Sequence, residues 1–190
     1  RTQAYESEAA QRQAQKAYKL DARDKMFDIA GKNVGSADLE LLTAWIGHHG
    51  HGFKQPVFAM LGAIKMANNP LVGSDGSELD GVVAMCAAVN QANSWDLSGC
   101  KAMTAEVTNV LVQKIDWGQC TLEELKLDST GILNSAKTYE LTKQHTIGRA
   151  KKDLGIQLDV SNKVLGYVDA MLITKWISGI AGDLTKMVLS

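Results

Sequence analysis

QPVFAMLGAIKMANNP, residues 55–70, lies between the only two prolines of the chain, and its reading decides the fold class. Pro56 suits the first turn of a helix, where its missing N–H costs nothing. Val57, Met60, Leu61 and Ile64 then recur at three and four, and Asn68-Asn69-Pro70 stops the run. Read this way the stretch is a helix over 56–67, and the segments on either side follow the same logic.

Outward from it, Ser36 is a good N-cap for a helix over 37–47, with Leu39, Leu42, Trp45 and Ile46 as its apolar stripe. Residues 78–92 are the least polar in the chain, with Val82 to Val89 uninterrupted by charge. Apolarity all round a helix marks a buried central element. Ser98 opens a further helix to 116, and Thr121 with Glu124 has the form of a capping box for a short helix over 122–127. A long helix to Leu154 follows, closed by Gly155, and a last one covers 162–188. Residues 2–30 are rich in Ala, Gln, Lys and Arg and read as one polar helix. No internal repeat and no long alternating strand pattern stands out. The expectation is an all-α protein with more than about 60% helix, well above the base rate of about a third. It is a helical bundle of six or seven helices (33–190) with a projecting N-terminal helical arm (1–32).

Composition is that of an ordinary folded domain, 45% hydrophobic and 22% charged. No apolar run approaches the ~18 residues that span a bilayer. The chain begins at Arg1 without an initiator Met or apolar leader, so residue 1 reads as a processed or cut end. Charge is segregated: seven Lys/Arg and five Asp/Glu over 1–32, five and eleven over 33–128, six and three over 129–163, two and two over 164–190. An acidic middle between mildly basic ends can attract copies of itself. Cys86, Cys100 and Cys120 are an odd count, which favours three free thiols and a reducing compartment, cytoplasmic or within a macromolecular assembly.

Three constellations could carry chemistry. His48, His49 and His51 lie within four residues between glycines, a candidate loop for a metal ion, although no carboxylate stands at a recognised ligand spacing. Cys100, at the expected start of a helix, could act as a nucleophile if the fold brings His145 to it, but neither has the local context of a cysteine enzyme. Lys143, Arg149 and Lys152, with Lys137 and Lys151, make a basic stretch that could meet nucleic acid, without interleaved aromatics and without support from the net charge of −1. There is no phosphate-binding loop, and no other cofactor is implied.

The sequence therefore leans away from an enzyme. Its favoured reading is a structural, self-assembling subunit, as in a filament, capsid or secretion apparatus, working as a homo-oligomer through protein–protein contacts. Tyr5, Ala9 and Tyr18 on the first helix and Leu172, Trp176 and Ile180 on the last are the expected interface. A nucleocapsid-type packaging protein and a small helical metalloenzyme built on the histidine loop are the alternatives. The central helix gives a direct check. Val89→Asp would bury an unpaired charge at a cost of several kcal/mol or more, and this variant should be unable to melt cooperatively in a thermal scan.

Overall fold

Ile29 N donates to Lys65 O, Met66 N to Asp96 O, and Leu97 N to Lys126 O, each 2.7–2.9 Å. These bonds run between strands, and they overturn the all-α expectation. The computed structural model describes residues 26–47, 62–73, 76–89, 92–100, 104–131, 136–142, 156–178 and 184–188. Among them the chain is α/β. Its strands are β1 (Met26–Asp28), β2 (Ala63–Lys65), β3 (Ser94–Asp96), β4 (Glu124–Asp128), β5 (Thr138–Thr142), β6 (Ile156–Asp159) and β7 (Leu184–Val188). Its helices are α1 (Ser36–Gly47), α2 (Asp80–Val89), α3 (Ala105–Lys114) and α4 (Tyr167–Ser178).

β1 to β5 form one sheet in sequence order; β1 to β4 are parallel and β5 joins β4 antiparallel. β6 and β7 form a separate parallel pair. In the large sheet the buried residues alternate with solvent-facing ones, so a single face is covered. The helices provide the cover, each packing on the next from α1 to α4.

A repeating unit emerges that the sequence reading did not find. Phe27, Ile64, Trp95 and Leu125 stand opposite one another in register. Two residues on, Ile29, Met66, Leu97 and Leu127 are buried as well. Two further on, Gly31, Asn68 and Gly99 have φ of 62°, 60° and 67°, so the chain leaves each of these strands through a left-handed turn. Asn162, at φ 55°, holds the same place after Leu158. Asp28, Asp96 and Asp159, each one residue after the first buried position, accept from the N–H two residues later at 2.9–3.1 Å. That is the Asx turn, repeated in three units.

The next residue joins one unit to another. Asn69 is fully buried; its Nδ2 donates to Ile29 O (2.9 Å) and Met66 O (2.8 Å), and its Oδ1 accepts from Val34 N (3.0 Å). Cys100, at the same place one unit later, donates from Sγ to Met66 O at 3.3 Å. Thr130, one unit further, is drawn elsewhere: its N and Oγ1 both donate to Asp169 Oδ2 (2.7 and 2.8 Å). Asp169 is itself buried at the start of α4, where it also accepts from Gly166 N and from the Tyr139 hydroxyl.

The corrections have physical causes. The expected helix over 56–67 contains β2, that over 122–127 lies largely in β4, that from 129 to 154 contains β5, and that over 162–188 divides into α4 and β7. The end of the expected first helix is β1. Most of these strands are rich in Met, Ala, Lys, Glu and Leu, which favour helices when isolated, and cross-strand pairing overrides that preference. A strand of three residues shows little of its period of two. Thr121 and Glu124 make no capping box, since Thr121 Oγ1 donates to Ala92 O and Glu124 begins β4. Helix α1 and the buried core of α2, with Val82, Met85, Cys86 and Val89 at 2% exposure or less, agree with the sequence reading.

Asn69→Ala removes the amide that holds Val34 N, Ile29 O and Met66 O; Ile29 O keeps the long bond from Lys32 N and Met66 O that from Cys100 Sγ, so the largest loss falls on Val34 N, at about 1–3 kcal/mol for a buried group left without a partner. We expect a fall in the urea midpoint well beyond that of Cys100→Ala, which removes one weak donor. Equal losses in the two variants would show that the asparagine does not join the units.

Candidate functional site: the open face of the sheet

The side chains of β1 to β5 that point away from the helices form rows across the strands. Register places Asp28 beside Lys65, Lys65 beside Asp96, Asp96 beside Lys126, and Lys126 beside Glu140. This middle row is acid, base, acid, base, acid. The row before it is Met26, Ala63, Ser94, Glu124 and Thr142, small in its centre. Asp28, Lys65 and Glu140 are exposed, and Asp96 and Lys126 half-buried.

Local structure fixes the carboxylates. Asp28 Oδ1 accepts from Ala30 N at 3.1 Å; Asp96 Oδ1 accepts from Ser98 N (2.9 Å) and Ser98 Oγ (2.7 Å). Asp128 sits at the C-terminal end of β4. It accepts from Gly99 N (2.8 Å) and Thr138 Oγ1 (2.6 Å), which ties the turn after β3 to β5. Gly99 is favoured there by its positive φ of 67°; an added Cβ would also meet Asn68 Oδ1, which would have to swing aside.

Strand order also matters. Parallel sheets that bind cofactors at the ends of their strands do so where the order reverses. From β1 to β4 the order does not reverse. Among the described residues no three His, Cys, Asp or Glu side chains are grouped so as to hold a metal ion. On the helix side a cavity of about 600 Å³ lies beside the end of α3, lined by Asp116, Trp117, Cys120 and Lys175 among others.

Most of the sites expected from the sequence fall outside the described residues: His48, His49 and His51; Lys143, Arg149 and Lys152; Tyr5, Ala9, Tyr18 and Ile180. Leu172 and Trp176 are described, and they face inward from α4 at 0% and 1% exposure. Trp176 meets Trp117 edge-on, ring centres 6.1 Å apart. Cys100 is in the turn after β3, not in a helix, and burial pushes its thiol up to about 12. Burial does the same to Cys86. A nucleophilic Cys100 is therefore disfavoured, since the thiolate is the reactive form. The charged row was invisible to sequence reading because its members come from five separate strands.

No helix among the described residues is long and apolar enough to cross a membrane. Cys86, Cys100 and Cys120 are free thiols, the first two buried. Their raised values have a sign. The unfolded thiols ionise from the usual value of 9.0, the folded ones only near 12, so this contribution to stability is whole below pH 9 and declines as the pH rises towards 12. At pH 8 and in native buffer, alkylation followed by mass analysis should leave Cys86 and Cys100 unmodified, with all three labelled in urea. Rapid native labelling of Cys100 would contradict its burial. Compared with known protein families, with characterised proteins and with solved structures, the chain matches none.

Proposed function

We propose that this chain works by binding other protein through the open face of its five-stranded mixed sheet, as a non-catalytic recognition module. The observation that carries the reading is the acid–base row Asp28, Lys65, Asp96, Lys126 and Glu140, laid across a sheet whose other face is covered by helices. Repeat architectures of this kind stack strand–helix units so that one extended surface stays available to a partner. The unit Leu61-x-x-Ile64-x-Met66-x-x-Asn69-x-Leu71 resembles the leucine-rich repeat pattern. Leu122-x-x-Leu125-x-Leu127-x-x-Thr130-x-Ile132 is similar, with threonine in the asparagine place. That likeness is an analogy of architecture, and the function is argued from the face itself.

The composition of the face favours protein over nucleic acid. Asp28, Asp96, Glu124, Asp128 and Glu140 outnumber Lys65 and Lys126, and a surface that binds phosphates needs the opposite balance. The contact between copies expected from the sequence keeps its general form, an interaction between proteins. Its place moves from α4, whose Leu172 and Trp176 belong to the core, to the sheet.

The test is the double variant Lys65→Glu/Lys126→Glu. Both side chains lie on the open face, so circular dichroism should stay close to the starting protein, while the melting temperature should fall modestly because acids then stand beside acids on paired strands. Cross-linking and sedimentation with the full chain should identify a discrete protein partner, or a second copy, whose binding falls at least ten-fold in the variant. A partner bound equally well by the variant would remove the face from the function.

A further inference from the structure

The geometry points to the kind of partner segment: an α-helix lying across the strands, with basic and acidic side chains alternating turn by turn along the side that meets the sheet. This rests on the reading that the open face is the contact surface.

The argument begins with spacing. Neighbouring strands stand about 4.8 Å apart, so Asp28 to Glu140 covers four steps, about 19 Å. A partner must present five charges at nearly that interval. Successive turns of an α-helix rise 5.4 Å, and residues at i and i+4 or i+3 share one side. Four turns cover about 22 Å, a drift of about 0.6 Å per step that flexible side chains absorb. A β-strand presents same-side residues about 6.7 Å apart, so four steps cover about 27 Å and the charges fall out of phase by the third. The sheet's twist of about 20–25° per strand fans the row, which makes Lys65, Asp96 and Lys126 the best-aligned three.

The row is also prepared for such a partner. Asp28 and Asp96 are held by their Asx turns, so less freedom is lost when they are contacted. Ala63 and Ser94 in the neighbouring row are small and leave room for a helix backbone to approach. Alternation carries specificity too. A partner of uniform sign gains at one charge and loses at the next, so the row rejects polyacidic and polybasic surfaces alike.

Three peptides of about twenty residues test this, by fluorescence anisotropy with the full chain at low salt. The first is a stapled helix with Lys, Glu, Lys, Glu and Lys spaced alternately four and three residues apart, so that all five share one side, the complement of the row. The second has the same composition, also stapled, in the order Lys, Lys, Lys, Glu, Glu. The third is the first sequence kept extended by prolines at neutral positions. The alternating helix should bind at least ten-fold more tightly than either of the others. With Lys65→Glu/Lys126→Glu the row becomes wholly acidic, and preference should pass to a stapled helix carrying five lysines. Equal binding of the permuted helix, tighter binding of the extended peptide, or no binding by any peptide would overturn the helical partner. If a natural partner is nonetheless lost in the double variant, the open face stands and only the helical occupant falls. If neither responds, both fall.

Discussion

One buried amide sets the terms for this fold. A strand that ends in a left-handed turn leaves carbonyls inside the protein without a ladder partner, and a buried carbonyl without a donor is costly. Asn69 donates to Ile29 O, which otherwise has the long turn bond from Lys32 N (3.3 Å), and to Met66 O, so one side chain serves its own unit and the one before it. Its Oδ1 meanwhile holds Val34 N, on the segment leading into α1. Strand spacing, turn geometry and helix entry are thereby fixed at one point. Cys100 does a reduced form of the same work with a weaker donor, and Thr130 turns to Asp169 instead. The departure at Thr130 coincides with the departure from regular topology, where β5 comes in antiparallel. Asp169 then gathers the turn after β4, the hydroxyl of β5 and the start of α4 into a second joint.

Helices on one side follow from the same constraint. If each unit must return its chain in parallel, the return has to cross one face of the sheet. The apolar residues of the strands point to that face, and those of the helices complete the core around Trp95, Met85, Leu111 and Trp176. Close approach is built into the packing: an added Cβ at Gly81 would stand 2.3 Å from Ser36 O, and Gly81 N donates to Ser36 Oγ. The opposite face takes no part in this, and its side chains are released from the demands of the core.

How much of this the sequence disclosed depends on length and spacing. Helices α1 and α2 have enough residues to show their stripe, and the burial of Val82, Met85, Cys86 and Val89 was legible from apolarity alone. The strands were not legible. β1, β2 and β3 each contain three residues and offer one buried side chain within the strand, with a second just beyond it. Ile64 and Met66, read with Met60 and Leu61, fit a helix as well as they fit a strand. The repeat was hidden for a related reason: Phe27, Ile64, Trp95 and Leu125 are unevenly spaced, so the chain does not superpose on itself by a constant shift. A signal was present nonetheless. Two apolar residues separated by one, then Gly or Asn two places on, then Asn or Cys, occurs at Ile64 and again at Trp95. In the sequence Asn68 reads as the end of a helix and Gly99 as the start of one, and in the fold each lies in the turn that follows a strand.

The charged row differs from the rest of the unit in what determines it. The buried positions must be apolar and the turn positions must tolerate positive φ, but the solvent-facing middle position has no such requirement. Aspartate there closes an Asx turn at Asp28 and Asp96, whereas Lys65 and Lys126 occupy the same place with no bond of that kind, and the strands pair in register either way. The last member, Glu140, comes from an antiparallel strand that does not share the unit at all, yet it keeps the order of signs. The apolar packing of the fold sets no order of signs, but opposite charges on paired strands attract and like charges would repel, so alternation lends the sheet a modest stability of its own. In the proposed contact the same charges would act a second time: with Asp96 and Lys126 only half-buried, their fields reach a surface laid upon them.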